Sequence, residues 1–526
     1  MTALDDRRKA AALGVLFLLV AIAVGVFSLR PYVGGAPFIG HADQANTANL
    51  AQNIAAGRGA VVDTVWLHTA GGLPGDAVTH PEPYWSVSVA GIVAASFLLL
   101  GPGRLALALP ALLALLASTG LVGYWAWIAT RRFWPTAMVI IGTAFSPILL
   151  RGVGGLSDNY LVAAIFACIT ALVRGLTSGS RTWLLASGLL FGVAVTFKPS
   201  ALLLLGLWPF YGILARRWRL HREFGVFLLG ALAPLAAYAL YNHSAYGTPM
   251  AGGTELVLAA ADIRHELMEH EGALWMDAHN RAFYDPAFDM SRVSIGGGER
   301  LAMAGDRFLG FIREGLWKER LMPWWYQLMA LAGTVLVFRR WWLRPQGVAP
   351  TAAELYPAFG VAMLIAGLVL ASRLHFEARY WAFMPPLALL LGAVALRTWV
   401  GAIVAVVVAG LALHQGVNWY ASFKWRTTPE AYARVVEMLP SGTVVYSANP
   451  WQFAFHTRLP AVMTPYTDDP YVLRRTARRY NVEYLVTIGE DSRHPAFKQR
   501  PPGEWSDIYE PVFEDERLGI WRIRPE

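Results

Sequence analysis

Charge and cysteine are scarce in this 526-residue chain. Only 15% of its residues are Asp, Glu, Lys or Arg, and its one cysteine, Cys168, lies inside an apolar run. A single thiol excludes a disulfide framework and a thiolate metal site. No glycine-rich phosphate loop of either common type stands between a strand and a helix, so soluble-nucleotide chemistry has no visible cradle. The His-Glu-x-x-His spacing of zinc proteases is missing as well. His265 and His270 are five apart among Arg264, Glu266, Glu269 and Glu271, which reads as a solvated helical face. No clear small-residue cleavage signal follows the apolar run from Ala11 to Leu29, so that run reads as a retained helix and not a signal peptide.

What the chain has in quantity is apolar length. Hydrophobic residues make up 56% of it and the mean hydropathy is +0.41, which places it among polytopic membrane proteins. The formal charge of +8 does not point to nucleic acid, because membrane proteins collect arginine on cytoplasmic loops. A bilayer core needs about 20 residues of helix. The runs that meet or approach that length are 11–30, 106–129, 134–150, 159–173, 182–197, 199–215, 223–241, 323–338, 355–371, 380–396 and 398–414. The apolar run 84–100 is read as a shallow or re-entrant helix. With it kept on the outer side, Arg7, Arg8, Lys9, Arg131, Arg132, Arg174, Arg181, Arg216, Arg217, Arg339, Arg340 and Arg397 all face the cytoplasm, which is the positive-inside pattern. Eleven passes and a cytoplasmic N-terminus follow.

This topology collects the loop 31–105, the turn 151–158, the long loop 242–322, the connection 372–380 and the polar tail on one outer face. The expected division is a transmembrane domain over 1–417 and an extracytoplasmic domain over 418–526. In the tail, Thr427-Thr428-Pro429-Glu430 has the makings of a helix start, and the helix would run to Met438. A strand over 443–447, a short helix over 449–455, a helix over 469–480 and a strand over 482–488 follow, then closing strands near 507–513 and 519–523. That alternation predicts a small α/β domain. The fold class is therefore a polytopic all-α membrane protein with interfacial helices and a C-terminal α/β domain.

Polar residues at the outer ends of the passes are the candidates for chemistry. His41, Asp43, Gln44 and Asn46 head a run to Arg58 with helical periodicity of the interfacial kind, closing in Gly57-Arg58-Gly59; an ordinary solvated loop would look similar. His80-Pro81-Glu82-Pro83-Tyr84-Trp85 leads back into apolar sequence. Ser157 or Asp158 can cap the helix that follows, or Asp158 can face a substrate. Lys198, in Phe-Lys-Pro between two apolar runs, either snorkels to the interface or meets a lipid phosphate. In His375-Phe376-Glu377-Ala378-Arg379-Tyr380 the arginine's fork of donors suits a phosphate, and headgroup anchoring would suit it equally.

Taken together these motifs resemble the bacterial protein mannosyltransferase-like glycosyltransferases, the glycosyltransferase 39 group that includes the lipid A aminoarabinose transferases, within the GT-C fold class. The resemblance rests on Asp43 with Asn49-Leu50-Ala51 and Gly57-Arg58-Gly59, the Pro81–Trp85 approach, Arg104-Leu105, Ser157-Asp158 and Phe197-Lys198-Pro199. It continues through Tyr246-Gly247-Thr248-Pro249, Arg379-Tyr380 with Pro385-Pro386, and Ser447–Trp451 with Arg458–Ala461. Two departures stand out: Gln44 replaces the second acid of the family's first-loop pair, and His80-Pro81-Glu82-Pro83 replaces Lys-Pro-Pro-Leu.

What the resemblance implies is transfer of a sugar, with inversion, from a polyprenyl-phosphate donor to a lipid, glycan or protein acceptor outside the bacterial inner membrane. Asp43 would match the first-loop catalytic acid and Asp158 the second acidic position. A lipid-phosphate leaving group needs electrostatic holding more than protonation; Lys198 and Arg379 would supply it, with His80 and Arg58 as further candidates. An acceptor hydroxyl benefits from a carboxylate base, which would be Asp43. Gln44, Glu82, Tyr84, Glu377 and Tyr380 would line the substrate cavity. Asp43 and Asp158 could share a divalent cation; no other cofactor is expected beyond the lipid-linked sugar and membrane lipids, and no nucleic acid. A flippase for a lipid-linked sugar and a non-catalytic scaffold of the same fold are the alternatives.

Overall fold

The computed structural model describes residues 3–30, 39, 42–66, 77–82, 85–216, 220–247, 281, 283–285, 297–318, 321–345, 347–372, 378–396, 398–422, 430–465, 467, 469–489 and 502–524. Two compact units emerge: Met1–Gly34 with Leu107–Tyr238 and Gly296–Lys424, and Gly35–Ala106 with Ala239–Ile295 and Trp425–Glu526. The cluster around His265 and His270 and the Thr427-Thr428-Pro429 helix start lie outside the described residues.

The protein is a multi-pass membrane protein. Seven described helices are long and apolar enough to cross a bilayer: Asp5–Leu29, Arg104–Thr130, Ser157–Ser178, His221–Tyr246, Ala352–Ala371, Ala378–Ala395 and Trp399–Trp419. Phe133–Ala144, Arg181–Phe197 and Pro199–Ala215 are shorter apolar pieces, and Trp324–Leu343 is a further helix. The run 134–150, expected as one pass, is broken into helices Phe133–Ala144 and Pro147–Gly152. The cause is Pro147, which brings no N–H and pushes the residue before it out of the α region; Ser146 sits at φ −62°, ψ 122°. Pro199 acts the same way on Lys198 (φ −154°, ψ 129°), and the chain continues as a 3-10 turn over Pro199–Gly206 before the helix Leu207–Ala215.

Small residues let these helices approach closely. A Cβ on Gly188 would lie 1.8 Å from the Phe227 carbonyl oxygen, and one on Gly230 would lie 2.2 Å from that of Leu185. Helices Arg181–Phe197 and His221–Tyr246 thus touch backbone to backbone. Gly333 meets the Leu391 carbonyl in the same way, at 2.2 Å. Lipid tails are as apolar as leucine, so close packing of this kind holds membrane helices together.

The second unit carries a six-stranded sheet. Its strands are β2 (Thr64–Val65), β4 (Val444–Ser447), β5 (Ala461–Met463), β6 (Val482–Ile488), β7 (Tyr509–Glu514) and β8 (Leu518–Ile523), ordered β2-β5-β4-β6-β8-β7. Pairing is parallel from β2 to β6 and antiparallel from β6 to β7. Helices Ala431–Met438, Pro450–Thr457 and Pro470–Tyr480 alternate with the strands. Tyr432, Val435, Phe453, Val486 and Ile520 form the core against one face. Asp469 caps the last helix by accepting from Tyr471 N. The short strands β1 (Val61–Val62) and β3 (His80–Pro81) pair separately.

The helix Ala42–Ala55 departs from expectation. Instead of lying on a membrane surface, it is buried over the whole stretch Ala45–Asn53, polar residues included. Its asparagines are matched by partners: Asn46 donates to Glu82 at 2.7 Å, Asn49 to the Trp451 carbonyl at 2.9 Å, and Asn53 to the Val61 carbonyl at 2.8 Å. The helix Val87–Leu100, capped by Ser86 accepting from Val89 N, has 14 residues. At 1.5 Å per residue it reaches about 21 Å, short of a core of about 30 Å.

The glycine contacts make a stability prediction. Gly188→Val and Gly333→Val force helix backbones apart, and overpacking of this kind costs about 1–3 kcal/mol. Each should lower the apparent melting temperature of the detergent-solubilised protein. Gly14→Val, whose Cβ meets nothing within 4 Å, should not.

Candidate active site

In the membrane unit the structure gathers Asp158, Lys198, Arg379 and Tyr380. Asp158 is the second residue of helix Ser157–Ser178, whose N-cap is Leu156 with no side-chain cap. Neither Ser157 nor Asp158 therefore caps the helix. Asp158 is 3% exposed, and its Oδ1 accepts from Lys198 Nζ at 2.5 Å. The break at Pro199 delivers the lysine, because it ends the preceding helix with Lys198 extended. Next to Asp158, Asn159 donates to the carbonyls of Leu149 at 3.0 Å and Ala111 at 3.3 Å, which pins the helix start. Gly152 leaves room for that amide: a Cβ there would stand 2.3 Å from Asn159 Oδ1.

One carboxylate oxygen, Asp158 Oδ2, is buried with no hydrogen-bond partner among the described residues. A buried acceptor left in this state is costly and marks where a ligand hydroxyl would donate. Lys198 Nζ lies 5.0 Å from the Tyr380 ring centroid, and the Arg379 guanidinium carbon lies 5.3 Å from the same centroid. Both are at cation–π range. The cluster thus sets a carboxylate, an ammonium and a guanidinium around one aromatic ring. Glu377 lies outside the described residues.

In the second unit, Asp43 stands in the first turn of helix Ala42–Ala55 and is partly exposed, as is Gln44. The helix N-terminus favours a carboxylate there. Arg58 is engaged elsewhere: it grips Asp63 with two hydrogen bonds of 2.8 and 2.7 Å. Asp63 also accepts from Thr79 at 2.6 Å and Asn53 at 3.1 Å. Burial pushes the Asp63 carboxyl up, but these hydrogen bonds and the Arg58 charge outweigh it and hold it below its ordinary value. His80 is buried with Nδ1 2.8 Å from the Pro81 carbonyl and Nε2 2.9 Å from that of Thr64. Burial pulls its imidazole below the ordinary value, against the pull of those carbonyls. Both ring nitrogens face the protein's own backbone, so Arg58 and His80 act as struts in this geometry and offer a phosphate little.

Glu82, 2% exposed, accepts from Asn46 and from Trp85 N at 3.1 Å, and its carbonyl accepts from the Tyr246 hydroxyl at 2.5 Å. It holds the first loop together. Tyr84 lies outside the described residues. Asp63, Thr79 and Trp66 carry no signal in the sequence; Trp66 joins Trp85 and Trp451 in a trio with ring centroids 5.0, 5.4 and 6.5 Å apart. The one sequence signal was Asn46, Asn49 and Asn53, a polar stripe at helical spacing.

The Lys198 ammonium already takes Asp158 Oδ1, which leaves Oδ2 of this carboxylate for a further partner. Among the described residues no group of three or more His, Cys, Asp or Glu side chains could hold a metal ion.

The fold is shared with solved structures of GT-C type. The crystal structure of the Archaeoglobus fulgidus oligosaccharyltransferase, in complex with Zn and sulfate, matches with TM-score 0.58 at 12% identity over 90% of this chain and 68% of that one. The archaeal oligosaccharyltransferase AglB from the same organism, in complex with an inhibitory peptide and a dolichol-phosphate, matches with TM-score 0.56 at 12% identity, over 96% and 74%. ArnT from Cupriavidus metallidurans in the apo state aligns over 98% of this chain and 100% of its own length at 16% identity, with TM-score 0.45. No family model and no curated protein matches the sequence.

The buried histidines predict a pH dependence. Burial lowers His80 and takes His456 down to about 4. The folded protein then binds fewer protons than the unfolded chain below pH 6.5, and stability falls with pH in that window. The melting temperature should drop between pH 7 and pH 5, and His456→Gln should flatten that slope.

Proposed function

We propose that this chain is an inverting glycosyltransferase. It moves a sugar from a polyprenyl-phosphate donor to a lipid, glycan or protein acceptor on the outer side of a bacterial inner membrane. The observation that carries the reading is the cluster of Asp158, Lys198, Arg379 and Tyr380 at helix ends of the membrane unit. The shared fold supports it, as does the dolichol-phosphate in the complex of the archaeal enzyme.

In this reading Lys198 and Arg379 hold the donor phosphate as it leaves. The departing phosphate is a stable anion, so fixed cations stabilise the developing charge without proton transfer. Asp158 positions Lys198, and its second oxygen accepts from a sugar hydroxyl. Asp43 is the base that takes the acceptor's proton as the oxygen attacks the anomeric carbon, and Gln44 beside it orients without titrating. Tyr380 stacks on the sugar face. The chain crosses the membrane eleven times, with a cytoplasmic N-terminus and the domain from 418 onward outside.

Asp43→Asn should abolish transfer while donor binding persists. Lys198→Met and Arg379→Gln should each weaken donor binding about 10-fold or more, the scale of one charge-assisted hydrogen bond of about 1.5–3 kcal/mol. Release of labelled sugar from its carrier in detergent, with no gradient, measures the first, and equilibrium binding of a carrier analogue measures the second. Normal turnover by Asp43→Asn removes the base. Unchanged binding by both cation variants removes the phosphate site. Carrier binding by the parent protein with no transfer to any acceptor favours a flippase.

A further inference from the structure

Elsewhere in the membrane unit a cavity of about 280 Å³ opens around the break between helices Phe133–Ala144 and Pro147–Gly152. Its walls are largely apolar, built from Phe145, Ile148, Pro323 and Trp419. Four polar side chains line it: Ser146, Arg151, Tyr326 and Gln415. Tyr326 and Ser146 are each 4% exposed. None of the four has a side-chain hydrogen bond or ion pair among the described residues, and neither hydroxyl is among the fully enclosed unsatisfied atoms. Both residues line the cavity. Buried polar groups are rarely left unmatched, and the two buried hydroxyl residues here, with Arg151 and Gln415 at the same cavity, point to a ligand.

The chemistry of that ligand follows from the inventory. One exposed guanidinium supplies positive charge, while two hydroxyls and a carboxamide supply donors. Among the described residues no Asp or Glu lines the cavity. The volume is near the lower end of the range for ligand pockets, about 300–1,000 Å³, enough for a headgroup but not for acyl chains. Exposed Leu411 and Leu413 lie on the helix that contributes Gln415, and exposed Trp324 and Leu328 on the one that contributes Tyr326. Those surfaces offer acyl chains an apolar track.

We propose that this cavity is a binding site for the phosphate of an anionic glycerophospholipid. Arg151 pairs with the phosphate, Tyr326 and Ser146 donate to its oxygens, and Gln415 meets the glycerol. The residues are distinct from Asp158, Lys198 and Arg379, and the inference stands whether or not the sugar-transfer reading does. Ala378 lines the cavity and precedes Arg379 in the same 3-10 turn, so a lipid seated here braces the turn that carries that arginine.

Native mass spectrometry of the full-length protein in detergent tests this, with phosphatidylglycerol, phosphatidylcholine and inorganic phosphate as probes. The expected result is retention of phosphatidylglycerol over phosphatidylcholine, a preference reduced about 10-fold in Arg151→Gln and reduced also in Tyr326→Phe. Arg151 is exposed, so its variant should fold, and a retained melting temperature verifies that. Equal retention of the two lipids by the parent protein overturns the proposal, as does an undiminished preference in Arg151→Gln. Displacement of the lipid by millimolar inorganic phosphate overturns it too, since the site would then take soluble anions.

Discussion

The membrane unit depends on one contact, the 2.5 Å ion pair between Lys198 and Asp158. A lysine between two apolar segments is expensive to keep charged, and a carboxylate that is 3% exposed is equally so. Each removes the other's difficulty. The pair is not chiefly a source of net stability, since desolvation offsets much of the attraction. Its effect is to fix position: Lys198 cannot swing into lipid, and the start of helix Ser157–Ser178 cannot drift. The Tyr380 ring then collects Lys198 and Arg379 within 5.3 Å, so two cations that would otherwise repel are held near one aromatic surface.

In the second unit the equivalent constraint is the helix Ala42–Ala55, which is polar in composition and yet buried. Burial of Asn46, Asn49 and Asn53 is tolerable because each amide has a fixed partner, and those partners come from three places: Glu82, the Trp451 carbonyl, and Val61 with Asp63. Asp63 in turn takes Arg58 and Thr79. Such a network is worth more complete than in parts, and it fixes the helix Ala42–Ala55 in place. It also explains why His80 and Arg58 are unsuited to phosphate: their donors and acceptors already belong to the scaffold.

The reading of the tail succeeded where signals are local. The helix expected over 469–480 and the strand expected over 482–488 are both present, as Pro470–Tyr480 and Val482–Ile488. It failed for Thr64–Val65, a two-residue strand that pairs with Ala461–Val462. No periodicity exists in two residues, and the partner lies in the distant tail. The same limit explains the misplaced helix Ala42–Ala55. Small apolar and polar residues in helical alternation describe a face that lipid headgroups or protein amides could cover equally well.

By itself the sequence determined the apolar helices, the break at Pro199, the helices and strands of the tail and the charged residue types at the helix ends. Each of these depends on composition or on a few neighbouring residues, through hydropathy, proline's missing N–H or side-chain charge. Only tertiary structure decided which of these charges pair with one another. Lys198 meets Asp158 across 40 residues and Asn49 meets Trp451 across 402, and pairing at such range depends on helix packing that local sequence does not encode.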